Sequence, residues 1–471
     1  MPAASPGSLP PVVDELAARF VSAGHALALV GGSVRDALLG RLSGDLDFAT
    51  SARPDQVQRV LAGWAESVWD VGIAFGTVGA LRDGCRLEIT TYRSDSYDRT
   101  SRKPAVTFGD TLEEDLRRRD FTVNAMALEL PERTFVDPFG GLSDLAAALL
   151  RTPATPEESF SDDPLRMLRA ARFAAQLGFR VDPDVVRAMA AMADRIEIVS
   201  AERVRDELAK LVCAPSPRAG LGLLVATGLA ARVLPELPAL QLEIDEHHRH
   251  KDVYEHSLTV LEQAIDLEDG PGGSVPGPDL VLRLAALLHD IGKPRTRRFE
   301  PGGGVSFHHH EVVGAKLVRR RLQALRFPND VVDDVAELVA LHLRFHGYGT
   351  GEWTDAAVRR YVRDAGPLLP RLHKLTRADC TTRNRRKAQA LARAYDHLEV
   401  RISRLAEEEE LAAIRPDLDG VQIMAVLGIP PGPEVGAAYR HLLELRLDRG
   451  PLGPDEAERE LRQWWAARPP S

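Results

Sequence analysis

Two aspartates, one residue apart, are the first residues whose types and spacing indicate chemistry. In the strand-like run 45–49, alternation would place Asp45 and Asp47 on one face and their apolar neighbours in a core. Paired carboxylates can hold two Mg²⁺ ions, which stabilise the attacking and leaving oxygens of a phosphoryl displacement. Glu88, in the alternating run 87–91, is the candidate third ligand. The alternative interpretation of the aspartate pair is a solvated strand end.

A glycine turn lies just upstream of the aspartates. The apolar run 26–30 is followed by Gly31, Gly32 and Ser33, and then by a helical pattern that contains Arg35. Glycines let a backbone approach a phosphate closely, and the free N–H groups of a helix start favour negative charge. The turn therefore predicts a triphosphate site facing the two aspartates, although the glycines taken alone are equally typical of an ordinary turn.

A second group of potential metal ligands lies in the later half of the chain. His289 and Asp290 follow the apolar run 282–288, which predicts a buried helix, and further candidates are His256, His310, His342 and Asp379. Imidazoles with carboxylates suit Ni²⁺, Mn²⁺, Co²⁺ or Fe²⁺, and such an ion can generate hydroxide for phosphate-ester hydrolysis. Lone helical histidines are more commonly packing or surface residues. The neighbours His308 and His309 leave the register at His310 open, and His247, His248 and His250 are predicted to form a surface cluster.

The elements that must position these residues change character along the chain. Short apolar runs alternate with helical patterns from about residue 26 to 150, whereas nearly every segment from Pro164 onward has apolar residues at helical spacing. We therefore predict an α+β protein with a mixed α/β palm over 12–150 and all-helical segments after it. These segments are a neck over 151–245, a body with the histidines over 246–395, and a tail over 396–471.

Composition limits the class of protein. The chain has 471 residues, 44% of them hydrophobic, a formal net charge of −9 and only three cysteines, at widely separated positions. Length predicts several domains, and the cysteines form no disulfide framework or thiolate zinc site. The acidic balance argues against indiscriminate coating of nucleic acid. With no targeting or membrane-spanning pattern, a cytoplasmic location is expected.

The combination of motifs is specific where each single motif is not. Residues 31–36 (GGSVRD) with residues 45–47 (DLD) resemble the nucleotidyltransferase superfamily of tRNA CCA-adding enzymes and bacterial poly(A) polymerases. Four further motifs follow in the family's order, at residues 118–125, 137–141, 162–169 and 202–208. The resemblance implies a tRNA 3′ end, CTP and ATP as partners, Mg²⁺ as cofactor and CCA addition as the activity.

The residues at 163–169 offer a way to choose C and A without a template. Both bases present an exocyclic amino donor beside a ring-nitrogen acceptor, so an acceptor next to a donor selects this pair. Asp163 and Arg166 provide that combination on one helix face, and the resemblance implies that they form the family's protein template, with Arg169 closing the motif. The alternative is an ordinary Asp–Arg helix pair with a helix cap before Pro164. The family usually has Glu where this chain has Asp162.

The resemblance also assigns less specific features. Arg119 and Asp120 should contact the ribose, and the loop 94–112 corresponds to one associated with the switch from C to A addition. The region 71–78 lacks the Gly-basic-basic-Phe signature of bacterial poly(A) polymerases, which disfavours that alternative. The His289-Asp290 doublet with its partners looks like an HD-type phosphohydrolase domain, so a mainly phosphohydrolase enzyme is a second alternative.

Two regions are candidates for RNA contact. Residues 353–387 carry ten Arg or Lys residues, interpreted either as an RNA-binding face or as a solvated face balanced by the acidic run 407–410. Residues 418–436 resemble the tail of bacterial CCA-adding enzymes, which implies a structural or tRNA-elbow role.

Overall fold

The chain divides into two compact units, Met1–Pro235 and Glu236–Ser471. The computed structural model describes residues 9–41, 44–70, 76–96, 105–109, 111–242, 252–301, 304–347, 353–381, 384–409 and 415–468. The predicted surface histidines His247, His248 and His250 lie outside these ranges. Most of the stretch compared with the poly(A) polymerase signature and the middle of the 94–112 loop lie outside them too.

A seven-stranded mixed sheet forms the centre of the first unit, in the order β3-β4-β5-β2-β1-β8-β9. Strand β1 pairs antiparallel with both β2 and β8, whereas β2 runs parallel to β5. The prediction of a mixed α/β palm is confirmed. The strands of this unit are β1 (Leu27–Val30), β2 (Asp45–Thr50), β3 (Ser67–Trp69), β4 (Thr77–Arg82), β5 (Cys85–Thr91), β6 (Arg93–Ser96), β7 (Ala105–Phe108), β8 (Ala127–Leu130), β9 (Thr134–Val136), β10 (Leu149–Leu150) and β11 (Arg180–Val181).

The alternation predicted for β2 is present. Leu46 and Phe48 are buried in the sheet core, and Asp45 and Asp47 are on the exposed face. Burying the two large apolar side chains fixes the register of the strand, because a slip by one residue would exchange its two faces. The helices of this unit are α1 (Pro11–Ser22), α2 (Gly32–Leu38), α3 (Pro54–Leu61), α4 (Leu112–Arg117), α5 (Gly141–Ala146), α6 (Pro156–Asp162), α7 (Leu165–Leu177), α8 (Pro183–Ala191), α9 (Ala201–Val212), α10 (Pro217–Ala226) and α11 (Leu229–Val233).

The helices after the sheet begin and end at residues suited to those positions. Thr155 caps α6 in a reciprocal capping box with Glu158, and α7 ends at Gly178 in the left-handed conformation. The break between α6 and α7 falls at Asp163 and Pro164, which places the predicted base-reading residues at a helix junction.

The second unit is helical, with one exception. Strands β12 (Arg298–Glu300) and β13 (Gly304–Ser306) form a hairpin, so the expectation that strands end before Pro164 is wrong at this point and at β11. Such strands are too short to show a period-two pattern in the sequence. The helices of this unit are α12 (Val253–Asp266), α13 (Leu280–Leu288), α14 (Lys293–Thr296), α15 (His310–Ala324), α16 (Asn329–Leu341), α17 (Asp355–Ala365), α18 (Leu369–Ala378), α19 (Arg385–Glu409), α20 (Gly420–Leu427), α21 (Pro433–Arg449) and α22 (Pro454–Ala466).

The tail has a small core of its own, in which Leu418, Ile423, Leu442 and Leu461 are buried together by α20, α21 and α22. Throughout the described ranges, no helix has both the length and the apolar composition needed to cross a membrane. The three cysteines, Cys85, Cys213 and Cys380, are free thiols.

Most arginines and lysines of the predicted basic face pair with carboxylates of the same unit. Arg359 is buried and binds Glu409 through two hydrogen bonds of 2.7 Å, in agreement with the interpretation that the acidic run balances this face. Five further residues of this face form ion pairs: Arg360 with Asp448, Arg363 with Asp364, Arg371 with Asp279, Lys374 with Asp269 and Arg377 with Asp396. The positive charge of these six residues is therefore largely balanced by carboxylates of the same unit.

Candidate active sites

The three predicted Mg²⁺ ligands lie on two adjacent parallel strands. Asp45 and Asp47 are on β2, and Glu88 is directly opposite Asp47 on β5. Among the described residues, the groups of three ligand atoms within 4.8 Å of one another belong to the second unit, so the palm acids are not a closed single-ion cage. An open arrangement suits Mg²⁺, which commonly takes one or two carboxylates and completes its shell with substrate phosphates and water.

The charge around Asp47 agrees with a cation-binding role. Its side chain retains solvent contact. Burial of the carboxylate nevertheless raises the pKa of Asp47 above its usual value, although the positive charge of Arg119 lowers it. The negative charges of Glu88 and Asp45 raise the pKa further. Carboxylates that raise one another's pKa in this way attract a compensating positive charge.

The glycine turn brings a cation directly to Asp47. Gly31 has φ +70°, and a Cβ there would lie 2.7 Å from Nη1 of Arg119 and 3.8 Å from Oδ2 of Asp47. Any side chain would therefore be strained and would displace Arg119. The Ser33 hydroxyl accepts a 2.9 Å hydrogen bond from the Asp47 N–H, which fixes strand β2 against the turn. Ser33 thus positions the backbone of the acid pair.

Arg35 joins the turn to the neck. Its guanidinium binds both oxygens of Asp36, at 2.9 and 2.8 Å, and donates to Oδ1 of Asn124 at 2.6 Å. It also lies 5.3 Å from the centre of the Phe173 ring on α7. These contacts account for several of its donors, so the structure supports a positioning role for Arg35 beside the predicted nucleotide contact.

A buried acid holds two consecutive arginines of the second motif. Asp115 on α4 is fully buried, and its Oδ1 accepts from Nη2 of Arg118 at 2.7 Å while its Oδ2 accepts from Nη2 of Arg119 at 3.0 Å. Although burial raises the pKa of Asp115, the charges of Arg119 and Arg118 outweigh it and hold the pKa below its usual value. Asp115 therefore fixes the side chains of two arginines that line the nucleotide cleft.

We expect Asp115→Asn to raise the KM for both CTP and ATP by about tenfold with a smaller change in kcat, because the amide cannot balance two guanidinium groups. Breaking buried charge pairs should also lower the thermal midpoint. Steady-state kinetics with calorimetry checks both effects. Asp14→Asn, at an exposed acid paired with Arg133, is the control; an unchanged KM in the Asp115 variant would exclude the positioning role.

The residues of the predicted base-reading pair are each held in place by other partners. Asp163 accepts from the Leu165 N–H at 3.1 Å and from Nη2 of Arg203 at 2.7 Å. The capping interaction of the alternative interpretation is therefore present, but each carboxylate oxygen keeps a further lone pair. Arg166 is buried. Its Nη1 donates a 2.9 Å hydrogen bond to Oγ of Ser159, and its Nη2 donates to the carbonyl oxygen of Arg118.

Asp120 and Arg169 form an ion pair between the palm and α7. Oδ2 of Asp120 lies 2.6 Å from Nη2 of Arg169, and Oδ1 accepts from the Phe121 N–H and from Nδ2 of Asn124. Burial raises the pKa of Asp120, but the charge of Arg169 and these hydrogen bonds outweigh it and lower the pKa to about 2. Asp120 is therefore ionised at neutral pH, and the pair crosses from the palm to α7.

Asp47 and most of the arginines described above line one cleft with a volume of about 450 Å³. Its wall contains Gly31, Gly32 and three aspartates, Asp47, Asp120 and Asp163, against seven arginines. The excess of positive charge suits a triphosphate, and the planar guanidinium groups match phosphate geometry. The arginines are Arg35, Arg93, Arg118, Arg119, Arg166, Arg169 and Arg172.

The second unit collects all six metal-ligand candidates in one buried cluster. His256, His289 and Asp379 form one group of three ligand atoms within 4.8 Å, and Asp290, His310 and His342 form another. Asp290 lies between the groups, with Oδ2 3.2 Å from Nε2 of His289 and Oδ1 3.3 Å from Nε2 of His310. The open register is resolved: His310 is buried in this cluster, whereas His308 and His309 are exposed.

The tautomers of three histidines follow from their backbone contacts. Nδ1 of His289, His310 and His342 lies 2.7–2.8 Å from the carbonyl oxygens of Ala286, Phe307 and Val339, respectively. A carbonyl oxygen only accepts, so each Nδ1 carries a proton, and Nε2 of each ring faces the cluster. This is the second-shell arrangement that orients metal-binding histidines. The buried Nε2 atoms of His310 and His342 have no hydrogen-bond partner, which fits a metal ligand.

The electrostatics of the cluster favour positive charge. Burial lowers the pKa of His289, but the carboxylates of Asp290 and Asp379 outweigh it and raise the pKa to about 9. Burial and the charge of His289 lower the pKa of His342 to about 3, so that ring is neutral. Lys293 Nζ lies 2.6 Å from Oδ2 of Asp290 and supplies one compensating charge.

A glycine makes the assembly of this cluster sterically feasible. A Cβ on Gly292 would lie 2.1 Å from the carbonyl oxygen of His310. Only glycine therefore lets the segment after Asp290 contact the start of α15, and this contact brings His310 to the metal group.

Sequence reasoning missed several residues of both sites. Asp115 precedes Arg118 and Arg119 by three and four residues on one helix face, and this spacing is the signal that could have identified it. Lys293 follows Asp290 at a similar spacing. Ser159 is linked to the base-reading pair only through the tertiary fold, and no sequence signal indicates it. Arg203 belongs to the motif 202–208, but its contact with Asp163 could not be predicted from the sequence.

Three family models match successive parts of the chain. Residues 27–151 match the poly A polymerase head domain, residues 178–240 the "Probable RNA and SrmB- binding site of polymerase A", and residues 253–384 the HD domain. The chain is 38% identical to the A-adding tRNA nucleotidyltransferase of Deinococcus radiodurans over 449 residues, which covers 94% of this chain and 96% of that protein. It is 34% identical to the CC-adding tRNA nucleotidyltransferase of Thermus thermophilus over 444 residues, 93% of each chain.

A solved structure supports the same classification. The Bacillus stearothermophilus CCA-adding enzyme, in complex with CTP, superposes with a TM-score of 0.71 at 26% identity and covers 98% of this chain and 99% of its own. The fold and the acid-bearing cleft thus define a nucleotidyltransferase with an HD domain. The chain belongs to the tRNA nucleotidyltransferase family that includes the CCA-, CC- and A-adding enzymes.

Proposed function

We propose that this protein adds CCA to the 3′ end of tRNA from CTP and ATP, without a nucleic-acid template. The observation that carries the proposal is the cleft in which Asp47 of β2 and Asp163 meet seven arginines, with Arg166 of the base-reading pair among them. Poly(A) synthesis, the runner-up from the sequence, uses the same chemistry but would need selection of A alone.

The proposed reaction is an in-line displacement. The tRNA 3′-hydroxyl oxygen bonds to the α-phosphorus, the bond from that phosphorus to the bridging β-oxygen breaks, pyrophosphate leaves and the hydroxyl proton passes to solvent. Asp45, Asp47 and Glu88 would hold two Mg²⁺ ions, which supply charge stabilisation at the attacking and leaving oxygens. Arg119, held beside Asp47 by Asp115, is placed to neutralise phosphate charge and to contact the ribose.

Base selection falls to the junction between α6 and α7. A carboxylate lone pair of Asp163 can accept from the amino group of C or A, and remaining N–H groups of Arg166 can donate to the ring acceptor. Uracil and guanine present the reverse pattern and would leave buried polar groups unpaired, which is costly. Because Arg203 and Ser159 hold these side chains, no nucleic acid is needed to orient them.

The relatives include enzymes that add CCA, CC or A. The nucleotides that this protein adds to tRNA therefore decide which of these activities it has. Purified protein would be incubated with Mg²⁺, CTP, ATP and tRNA that lacks its terminal CCA, and the product ends would be sequenced. Three added residues reading CCA are expected. Addition of CC only, of A only to tRNA ending in CC, or of an A ladder would each replace the CCA assignment with that activity, and no extension would contradict the nucleotidyl-transfer proposal.

Arg166→Ala is expected to blur nucleotide choice. Loss of a bidentate donor should reduce the preference for CTP and ATP over UTP and GTP by about 10- to 100-fold in kcat/KM. Arg187→Ala, at an exposed arginine of α8, should leave selectivity unchanged. Competition assays with mixed nucleotides measure the ratio, and unaltered selectivity in a folded Arg166 variant would remove this residue from the base-reading pair.

A second activity is favoured by the inward-directed Nε2 atoms of the HD cluster. We propose a metal-dependent phosphohydrolase in which His256, His289, Asp290, His310, His342 and Asp379 hold Ni²⁺, Mn²⁺, Co²⁺ or Fe²⁺. Such ions lower the pKa of bound water and so supply a nucleophile at neutral pH. Overall, a water oxygen bonds to phosphorus, the phosphate-ester bond breaks and the departing alcohol takes up a proton. Lys293, beside Asp290, is placed to contact the phosphate.

A further inference from the structure

The hairpin of β12 and β13 is inserted between two ligand candidates of the HD cluster. Asp290 precedes it by way of α14, and His310 follows it at the start of α15. The strands pair Arg298 with Ser306 and Phe299 with Val305. Both ends of the hairpin are therefore connected to segments that carry candidate ligands of the cluster.

The hairpin and the residues beside it carry cationic, aromatic and apolar side chains, here called the strip: Lys293, Phe307, Val305, Phe299 and Arg297. The Arg297 guanidinium lies 4.7 Å from the centre of the Phe299 ring, and Lys293 Nζ lies 5.7 Å from the centre of the Phe307 ring. Phe307 is two residues, about 7 Å of extended chain, beyond Val305.

Phe299 is the most exposed large apolar side chain of the described residues, at 72%. A single exposed apolar residue is ordinary on a protein surface. Phe299 differs because it is paired with an arginine and lies on a hairpin that ends at a cluster of candidate metal ligands. An accessible ring face with a neighbouring guanidinium is suited to stacking on a nucleobase next to a phosphate.

We propose that this strip binds the nucleotide portion of a phosphate ester presented to the HD cluster, with the base stacked on Phe299. The positive charges of Arg297 and Lys293 lie on the same strip and complement the phosphate. The inference rests on the proposed phosphohydrolase activity and names its substrate class. A sugar phosphate has no π face and would leave the exposed ring unused. The nucleotide is either free or the terminal residue of an RNA.

The test is site-resolved cross-linking to the full-length protein in divalent-free buffer. 8-Azido-AMP would be photoactivated, and labelled peptides would be mapped by mass spectrometry. We expect labelling of the peptide that contains residues 298–306, with competition by AMP but not by ribose 5-phosphate at the same concentration. Mapping separates this label from any label in the palm cleft. No label on the hairpin, or equal competition by ribose 5-phosphate, would overturn the proposal.

Point variants test whether the Phe299 ring itself stacks on the base. Phe299→Ala should reduce hairpin labelling about tenfold, the effect of losing one base–aromatic stack, and Phe299→Trp should retain it. Val400→Ala, at a similarly exposed apolar residue of α19 (69%), is the matched control. Equal labelling in the Phe299→Ala protein would contradict stacking. The same azidoadenosine at the 3′ end of a short single-stranded RNA distinguishes the sources: stronger labelling assigns the strip to RNA ends, and weaker labelling assigns it to free nucleotides.

Hydrolysis is measured separately, so that the two proposals can fail independently. Hairpin labelling without Mn²⁺-dependent release of phosphate would retain the binding strip and contradict the phosphohydrolase. Release of phosphate at equal rates from AMP and ribose 5-phosphate, without hairpin labelling, would retain the phosphohydrolase and contradict the binding strip. Phe299→Ala should leave nucleotide addition to tRNA unchanged, because Phe299 lies outside the palm cleft.

Discussion

Asp47→Ala protein is expected to lose nucleotide addition by about a thousandfold or more while it still binds tRNA. Asp47 faces Glu88 across β2 and β5 and lies beside Arg119, so its carboxylate is the central acid of the cleft. Losing a ligand of catalytic metal ions removes several kcal/mol of transition-state stabilisation, and each 1.4 kcal/mol is tenfold in rate. Single-turnover extension of tRNA lacking CCA, with filter binding for affinity, measures the two effects.

Two further variants test whether the loss of nucleotide addition comes from the charge of Asp47. Asp47→Asn keeps the shape of the side chain, and an equally large loss would assign the effect to charge. Asp55→Ala, at an exposed acid of α3, should retain full activity. If the Asp47→Ala protein extends tRNA at the wild-type rate, the palm acids do not support the chemistry proposed for them.

Asp290→Ala is expected to abolish phosphohydrolase activity and to reduce bound transition metal from about two ions per chain to fewer than one. Asp290 is the carboxylate that lies within reach of ligands in both groups, at 3.2 Å from His289 and 3.3 Å from His310. Nucleotide addition should change by less than about twofold, because the palm acids are in the other compact unit. Elemental analysis of the purified protein measures the metal directly.

Controls for this second result come from the same segment. His308→Ala changes an exposed histidine two residues from His310 and should retain both metal and activity. Because Asp290 is buried, His256→Ala provides a second variant at a more accessible ligand, and metal loss in both would exclude a simple folding defect. Unchanged metal content in a folded Asp290 variant would contradict the assignment of the cluster.

The palm was predictable because its signals are local. The alternation in residues 45–49 places Asp45 and Asp47 on one face, and β5 carries Glu88 in the register that its own alternation predicts. In the second unit, the His289-Asp290 doublet indicated the cluster, although its six candidate ligands extend from His256 to Asp379. The doublet predicted a metal site, but only helix packing shows that these residues form two groups of three.

The rest depends on contacts between distant residues. Asp163 binds Arg203, forty positions later, and residues of the predicted basic face bind carboxylates up to 105 positions away. A count of arginines in residues 353–387 cannot reveal which charges are already paired. The β12–β13 hairpin was missed because three-residue strands contain too few positions to establish a period of two.

The hydrogen bond from Arg166 to the carbonyl oxygen of Arg118 limits how this enzyme can be recombined with its relatives. A chimera joined between residues 120 and 165 would combine one parent's arginine with another parent's backbone, and would separate Asp120 from Arg169 as well. A junction at Pro235, where the first compact unit ends, keeps both contacts within one parent. Swaps that transfer product specificity between A-, CC- and CCA-adding enzymes should therefore exchange the whole first unit.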